Sequence, residues 1–244
     1  MSRNKLDQIK AAQLAEAEQT GENPYALEVV LTLDSVASVP TTTDFHSLQI
    51  ALETDIAKIA ATSDLLEKAK IKQAVLPTYL PFVEQYVKSG EVYPNEIAVY
   101  VMIWLFDVVD IEKALNLALV LIQQKQRMPS KFDRDMQTFV CDFMYDWAAA
   151  CLKNDHSASP YLDVLVATLE KDAWDVHVLC LSKLLVMLAK FKELAGEYQT
   201  AWDLASKAET INPEKAGVKG LKDRLKRHLN KPEDSDPADS ETAE

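Results

Sequence analysis

The segment from Leu76 to Asp110 constrains the fold most, because it combines many aromatic side chains with prolines at defined places. Its sequence is LPTYLPFVEQYVKSGEVYPNEIAVYVMIWLFDVVD. Proline removes a backbone donor and interrupts regular structure, so Pro77 and Pro81 are expected to bracket a turn. We predict that a helix follows this turn and runs to about Lys88.

Residues typical of helix ends and helix starts continue through the second half of the same segment. Ser89-Gly90 is typical of a helix end, and Pro94 is typical of the first turn of the next helix. That helix is predicted to reach Phe106. Asp110 is then a good cap for a further helix that extends to about Lys125.

Composition favours an all-helical chain. Hydrophobic residues make up 48% of the 244 residues, and only five glycines are present. Helix interiors exclude glycine and prefer the abundant Ala, Leu, Glu and Lys. Cys141, Cys151 and Cys180 lie inside apolar helical patterns without metal-ligand spacing, so we interpret them as buried thiols of a reducing compartment. No signal peptide or membrane span is visible in the sequence, which predicts a soluble intracellular protein.

A long helix is predicted from Phe45 to Gln73. Its apolar residues follow a spacing of three and four, which makes one narrow stripe of the kind found in a coiled-coil seam. Lys68, Lys70 and Lys72 near its end suit the negative end of the helix dipole, or alternatively face phosphate. Further helices are predicted over residues 131–152, 160–171, 174–193, 197–210 and 213–229.

These elements suggest four parts in chain order. Residues 1–42 are predicted to be weakly ordered, and 43–75 to form the long oligomerisation helix. Residues 76–230 are predicted to form a domain of stacked antiparallel helix pairs. Residues 231–244 are predicted to be a disordered acidic tail.

The helix pairs show an internal repeat. Residues 110–118, DIEKALNLA, parallel residues 197–205, EYQTAWDLA. In each copy Ala recurs at the positions where two helices approach closely, as in the second helix of a tetratricopeptide unit. No array with a period of 34 residues is complete, so we predict tetratricopeptide-like pairing rather than a true array.

Charge is distributed unevenly along the chain. The formal net charge is −12, which excludes a protein that wraps nucleic acid with its whole surface. Residues 214–231 carry seven bases against two acids, and residues 233–244 carry six acids and no base. The basic part either contacts phosphate, or is solvated, or pairs with the acidic tail. The predicted DNA-binding residues are Lys215, Lys219, Lys222, Arg224, Lys226 and Arg227.

A second basic group flanks the Met128-Pro129 turn and includes Lys125. Aromatic residues near these groups lie mostly on apolar stripes, so they are expected to pack in the core rather than to stack on bases. The second-choice DNA-binding residues are Lys68, Lys70, Lys72, Arg127, Lys131 and Arg134.

Carboxylates on one helix are the weak candidates for catalysis. Asp135, Asp142 and Asp146 share one face of the predicted 131–152 helix. Such a group either binds the divalent metal of a nuclease or forms the solvated side of an amphipathic helix. No glycine-rich phosphate loop, nucleophile elbow or metal-ligand motif is present, so no cofactor and no metal are predicted.

The central segment resembles that of the small terminase subunits of temperate tailed phages with cohesive DNA ends, the GpM type. The resemblance extends from about Thr43 to the Gly217-Val218-Lys219 turn. Its matching residues are Leu76, Pro77, Leu80, Pro81, Phe82, Val83, Val101, Met102, Trp104, Leu105, Asp107, Asp110, Ile111, Ala114, Leu115, Ala118, Met128 and Pro129.

The resemblance implies a role in genome packaging. Such a subunit works in the bacterial host cytoplasm with a large ATPase subunit, recognises double-stranded phage DNA at the cohesive-end site and assembles as a homo-oligomeric ring. The family carries the label of endonuclease subunit. Since no cleavage motif is visible in this sequence, we expect cutting to reside in the large subunit or in the joint complex.

Two features depart from the resemblance. The family tends to end in a basic tail, whereas this chain ends in EDSDPADSETAE. The family's turn before the second acid usually contains Gly, whereas Val108-Val109 occupy it here. The competing interpretation is a tetratricopeptide-like adaptor that binds proteins without contacting DNA, which the net charge favours and the Leu76–Asp110 segment opposes.

Overall fold

The computed structural model describes residues 42–172 and 174–230, and within them the chain forms nine α-helices and no strand. The prediction of an all-helical fold is therefore confirmed, while the predictions for residues 1–41 and for the tail lie outside the described residues. None of the described helices combines the length and apolar character that crossing a bilayer requires. The helices are α1 Thr42–Ala61, α2 Leu65–Ser89, α3 Glu96–Asp107, α4 Ile111–Gln123, α5 Met136–Lys153, α6 Tyr161–Lys171, α7 Val178–Leu194, α8 Tyr198–Ile211 and α9 Lys219–Leu229.

The chain divides into two compact units, one ending at His177 and one beginning at Val178. The first unit contains α1 to α6, and the second contains α7 to α9.

The single helix predicted from Phe45 to Gln73 is wrong, because the structure contains two helices there. The break falls at residues 62–64, where Thr62 and Ser63 interrupt the apolar stripe. Asp64 then starts α2 as its N-cap, since its carboxylate accepts the Glu67 N–H at 2.8 Å. The stripe on α1 is partly used inside the unit, where Leu52 and Ile59 are buried.

The turn predicted at Pro77 and Pro81 is also wrong, because both prolines lie inside the continuous helix α2. They stand four residues apart and are exposed, so water can reach the backbone carbonyls that lose a helical partner. The opposite side of α2 buries Tyr79, Phe82 and Tyr86. The predicted stop is confirmed, since Gly90 ends the helix in the left-handed conformation with φ of 67°.

Helix α3 is the centre of the first unit, and every residue from Ile97 to Asp107 is buried. A helix that is apolar on all sides belongs in a core. Its aromatic side chains meet those of neighbouring helices: Trp104 contacts Tyr79 with ring centroids 5.8 Å apart, and Phe106 contacts Phe143 at 4.8 Å. The resemblance motif of the sequence is therefore mainly a packing motif.

The two copies of the internal repeat begin at turns of the same geometry. The Asp110 N–H donates to the Leu105 carbonyl at 3.0 Å, and the Glu197 N–H donates to the Lys192 carbonyl at 2.9 Å. Each turn contains a residue with positive φ, Val109 at 64° in the first and Gly196 at 78° in the second. A β-branched residue is strained in this conformation, so Val109 carries a cost that glycine avoids.

Alanines form the contact between α7 and α8 in the second unit. Ala201, Ala205 and Ala208 are fully buried on α8, which allows the two helices to approach closely. Helix α9 packs on α8 through Leu221 and Leu225. Each repeat copy thus lies at the start of the second helix of a helix pair. The tetratricopeptide-like character of these pairs stays a prediction.

Candidate nucleic-acid interface

Helix α9 presents basic side chains opposite its buried leucines. Lys219, Lys226 and Arg227 are exposed. The helix begins at Lys219, not near residue 213 as predicted, because Gly217 takes a left-handed turn with φ of 68° just before it. Lys215 is exposed as well, but it lies in the turn that precedes the helix and not on its face.

Two of the predicted DNA-binding residues are held by acids within the second unit. The Lys222 ammonium lies 2.8 Å from the Glu209 carboxylate and 4.7 Å above the centre of the Trp202 ring. Arg224 donates two hydrogen bonds to Glu193, at 2.8 and 2.7 Å. This bidentate pairing raises the pKa of Arg224. Lys222 and Arg224 therefore fix α9 to its neighbours.

The remaining four residues, Lys215, Lys219, Lys226 and Arg227, form what we call the free basic set. Among the described residues, none of the four has a carboxylate within ion-pair distance. Lys219 and Lys226 are seven residues apart, which places them on one side of α9 with a separation of about 10 Å along its axis. Such a row can contact phosphates of a nucleic-acid backbone.

The structure brings three of the second-choice residues together in one place. Lys68 and Lys72 on α2 and Lys131 before α5 line a single cavity of about 230 Å³, which we call the lysine cavity. Asp107 at the end of α3 also lines it and binds the Lys72 ammonium at 2.5 Å. The sequence places these lysines in two separate groups, because nothing local links residues 68–72 with residue 131.

Lys131 is held by aromatic rings at this site. Its ammonium lies 4.7 Å from the centre of the Tyr100 ring and 5.6 Å from that of Phe132. Burial lowers the pKa of Lys131, and the positive charge of Lys72 lowers it further, while Asp107 and Glu96 act in the opposite direction. Positive charge is thus concentrated at this cavity.

The other second-choice residues lie elsewhere. Lys70 is exposed and does not line the lysine cavity. Arg127 is exposed on the loop after α4, beside Gln126. Gln126 donates hydrogen bonds to the Tyr86 hydroxyl at 3.0 Å and to the Tyr93 carbonyl at 2.6 Å, which fixes this loop against the end of α2.

Two of the three predicted acids, Asp135 and Asp142, are engaged in structural contacts, and the third, Asp146, is half-buried on α5. The helix begins at Met136 rather than near residue 131, because the Asp135 carboxylate accepts the Thr138 N–H at 2.7 Å as the N-cap. Asp142 forms an ion pair with Arg134. In the part of the chain that the structure describes, no group of three or more His, Cys, Asp or Glu side chains could hold a metal ion.

Helix pairs, with an aromatic core in the first unit and the basic helix α9 in the second, define an all-helical protein within the described residues. Comparison with known proteins gives the family. Residues 49–177 match the family described as phage small terminase subunit. The chain belongs to this family.

Two relatives support the assignment. The probable terminase, endonuclease subunit, of Haemophilus phage HP1 (strain HP1c1) is 31% identical over 201 residues, which cover 77% of this chain and 71% of the relative. The terminase, endonuclease subunit, of Escherichia phage P2 is 29% identical over 195 residues, which cover 78% of this chain and 77% of the relative. No solved structure matches the chain.

The family match and the first unit end at the same residue, His177. The match begins within α1 and includes the whole aromatic core. The second unit, with the free basic set, lies outside the matched range. The family model therefore describes the framework of the first unit, whereas the alignments with the two relatives are longer than this unit and extend into the second.

Proposed function

We propose that this chain is the DNA-recognising small subunit of a phage terminase. In this role it binds double-stranded phage DNA at the cohesive-end site in the host cytoplasm. It works there with a large ATPase subunit in cutting the DNA and packaging it into the capsid. Membership of the small terminase family supports this proposal, and the free basic set is the observation that carries the DNA contact.

The charge pattern requires a local contact. The chain as a whole carries a net charge of −12, so most of its surface repels a polyanion. The free basic set concentrates four cations on and beside α9, and among the described residues none of them has a carboxylate within ion-pair distance, with Asp223 one turn from Lys219 and Arg227 as the acid on the same helix. Each phosphate that such a cation neutralises releases counterions, which is the main source of sequence-independent affinity for DNA.

We assign cutting to the large subunit or to the joint complex. The two relatives carry the words endonuclease subunit in their names. In this chain, however, Asp135 caps α5 and Asp142 pairs with Arg134. Incubation of the protein alone with cohesive-end DNA and Mg²⁺ or Mn²⁺ tests the assignment. Specific cleavage that disappears in an Asp142→Ala, Asp146→Ala double variant would show that this subunit cuts.

We further propose that the protein assembles as a ring through α1 and α2. Both helices keep large apolar side chains on their surface, since Ile50 is 54% exposed and Leu66 is 42% exposed. Oligomer interfaces bury such side chains. Light scattering at tens of micromolar protein measures the assembly, and a monomer of 27.3 kDa there would remove the ring.

DNA titration of two matched double variants tests the recognition surface. Lys219→Gln with Lys226→Gln removes two charges from the free basic set, and Lys88→Gln with Lys153→Gln removes two charges from exposed positions of the first unit. We expect the first variant to bind duplex DNA about tenfold more weakly or worse, to a similar degree for all sequences, and the second to bind like the parent. Equal affinity of both variants would place recognition elsewhere.

The acidic tail provides a second arm of the same titration. Residues 233–244 contain six acids and no base. We propose that they compete with DNA for the free basic set, so deletion of residues after Lys231 should tighten non-specific binding. If the full chain shows no DNA affinity at low salt, with or without the tail, the tetratricopeptide-like adaptor becomes the better interpretation.

A further inference from the structure

The DNA contact proposed for the free basic set does not involve the lysine cavity of the first unit. Its charged wall comes from Lys68 and Lys72 on α2, Lys131 before α5, and Asp107 at the end of α3. Three lysines and one aspartate thus line the same cavity. The Asp107 carboxylate is already bound to Lys72, and side chains of this pair are only 12% and 10% exposed.

Lys68 and Lys131 therefore have no ion-pair partner in the described part of the chain. Among the described residues, neither has a carboxylate within ion-pair distance. Burial lowers the pKa of Lys131 and the nearby Lys72 lowers it further, while the carboxylates of Asp107 and Glu96 act in the opposite direction. An anion placed at this wall would relieve the repulsion and satisfy the free ammonium donors.

The other wall of the cavity is apolar. It is formed by aliphatic side chains from α1 and the start of α2, together with the indole of Trp104. These residues are Ile56, Ile59, Ala60, Leu65, Ala69 and Trp104. A hydrocarbon group placed here would leave water at little cost, whereas a bare inorganic ion would lose hydration without gaining a partner on this side.

The size of the cavity limits the ligand. A volume of about 230 Å³ lies below the range of about 300–1,000 Å³ that is usual for sites of drug-sized ligands. A nucleotide or a DNA duplex is too large to enter. A group the size of one amino-acid side chain is small enough to enter.

We propose that the lysine cavity binds an aliphatic carboxylate. The carboxylate lies near the ammonium groups of Lys68 and Lys131, and the hydrocarbon packs against Ile56, Ile59 and Leu65. The same chemistry is offered by a free short-chain carboxylic acid and by the C-terminal residue of a partner polypeptide that ends in an aliphatic side chain. This proposal does not depend on DNA binding.

The probe is 4-methylpentanoate, which is the leucine skeleton without its amine. It is titrated into the full chain, and the indole N–H signal of Trp104 is followed by NMR, with Trp104→Phe used to assign the signal. We expect a saturable shift with a dissociation constant on the order of 1 mM, as suits so small a ligand. Acetate and 4-methylpentan-1-ol should each bind more weakly, because the first lacks the hydrocarbon and the second lacks the charge.

Single variants locate the charge contacts. Lys68→Met and Lys131→Met should each weaken binding about tenfold or more, since each removes a charge-assisted hydrogen bond. Lys68→Arg keeps the charge and should retain most of the affinity. Lys70→Met is the matched control on the same helix and should bind like the parent. Thermal unfolding of each variant shows whether it is folded.

Several outcomes would overturn the proposal. These are the absence of a saturable shift in the parent protein, the same loss in Lys70→Met as in Lys68→Met, and tighter binding of inorganic phosphate than of 4-methylpentanoate at equal ionic strength. The peptide Gly-Gly-Ser-Leu and its C-terminal amide then distinguish the two sources. Binding of the free-acid peptide alone supports a chain terminus, and binding of 4-methylpentanoate without either peptide supports a small free acid.

Discussion

The two units of this protein build their helix contacts from different side chains. In the first unit, α3 meets its neighbours through rings and large aliphatic groups such as Trp104 and Phe106. In the second unit, α8 meets α7 through alanines, of which Ala205 is fully buried. Large side chains bury much apolar area per contact, whereas alanine buries little but allows close approach.

The difference explains how the terminal helix is held. Since α9 contributes only two buried leucines, ion pairs from Lys222 and Arg224 fix it within the second unit. These pairs consume cations that the sequence had assigned to DNA. A small unit thus divides its basic residues between holding the helix and facing solvent.

The aromatic core of the first unit should respond most strongly to truncation. Phe106 is fully buried and contacts Phe139 and Phe143. Phe106→Ala should lower the free energy of unfolding by about 4 kcal/mol, because it removes apolar contacts and leaves a cavity. Urea unfolding measures the loss, and Val164→Ala at an exposed position of α6 is the control, expected to change stability by less than about 1 kcal/mol. Similar effects of the two changes would show that α3 is not the centre of the core.

The next largest effect is expected at the ion pair of the lysine cavity. Lys72→Met leaves the Asp107 carboxylate, a buried residue, without its ammonium partner, so we expect a loss of about 3 kcal/mol in unfolding free energy. Lys72→Met combined with Asp107→Leu removes both charges and should lower the unfolding free energy clearly less than Lys72→Met alone. If the double variant is less stable than Lys72→Met alone, Lys72 and Asp107 do not act as a coupled ion pair.

A substitution at the alanine contact of the second unit should cost less stability than those in the first unit. Here a larger side chain, not a smaller one, is expected to destabilise the protein. Ala205→Leu inserts a large side chain where α7 and α8 approach closely, and should destabilise the protein by about 2 kcal/mol. Lys207→Leu on the exposed side of the same helix is the control for added bulk. An Ala205→Leu variant of unchanged stability would show that a larger side chain fits between α7 and α8.

The smallest expected effect is a gain. Val109 holds a left-handed conformation with φ of 64° at the turn between α3 and α4, where the second unit uses Gly196. Val109→Gly should raise the free energy of unfolding by about 1 kcal/mol, since the relieved strain exceeds the added flexibility of glycine. A shift in the thermal midpoint reports the gain, and a destabilised variant would show that the valine side chain contributes more than its conformation costs.

Local signals in the sequence predicted much of this structure. The end of α2 at Gly90 and the start of α4 after Asp110 depend on residues within one turn, so cap chemistry reveals them. The repeat of residues 110–118 and 197–205 likewise predicted where two helix pairs turn. The prolines of α2 led to the wrong prediction of a turn. The buried side of α2 packs against α3, and no local sequence pattern reveals this packing.

The candidate sites depended on contacts that no local pattern reports. Asp107 binds Lys72 across 35 residues, and Lys131 joins them from a loop still further along the chain. The pairing of Arg224 with Glu193 spans 31 residues. The sequence predicts these cations as basic groups, but no local pattern separates those engaged in folding from those that remain without an ion-pair partner.

The salt dependence of DNA binding tests most directly whether recognition lies in the second unit. The slope of the logarithm of the association constant against the logarithm of NaCl concentration is measured for the full chain, for Lys219→Gln with Lys226→Gln, and for Lys68→Gln with Lys131→Gln. Each lost phosphate contact lowers the magnitude of the slope by about 0.9. We expect a decrease of about two for the first variant and no change for the second, whereas an unchanged slope for the first variant would contradict the assignment of DNA contact to α9.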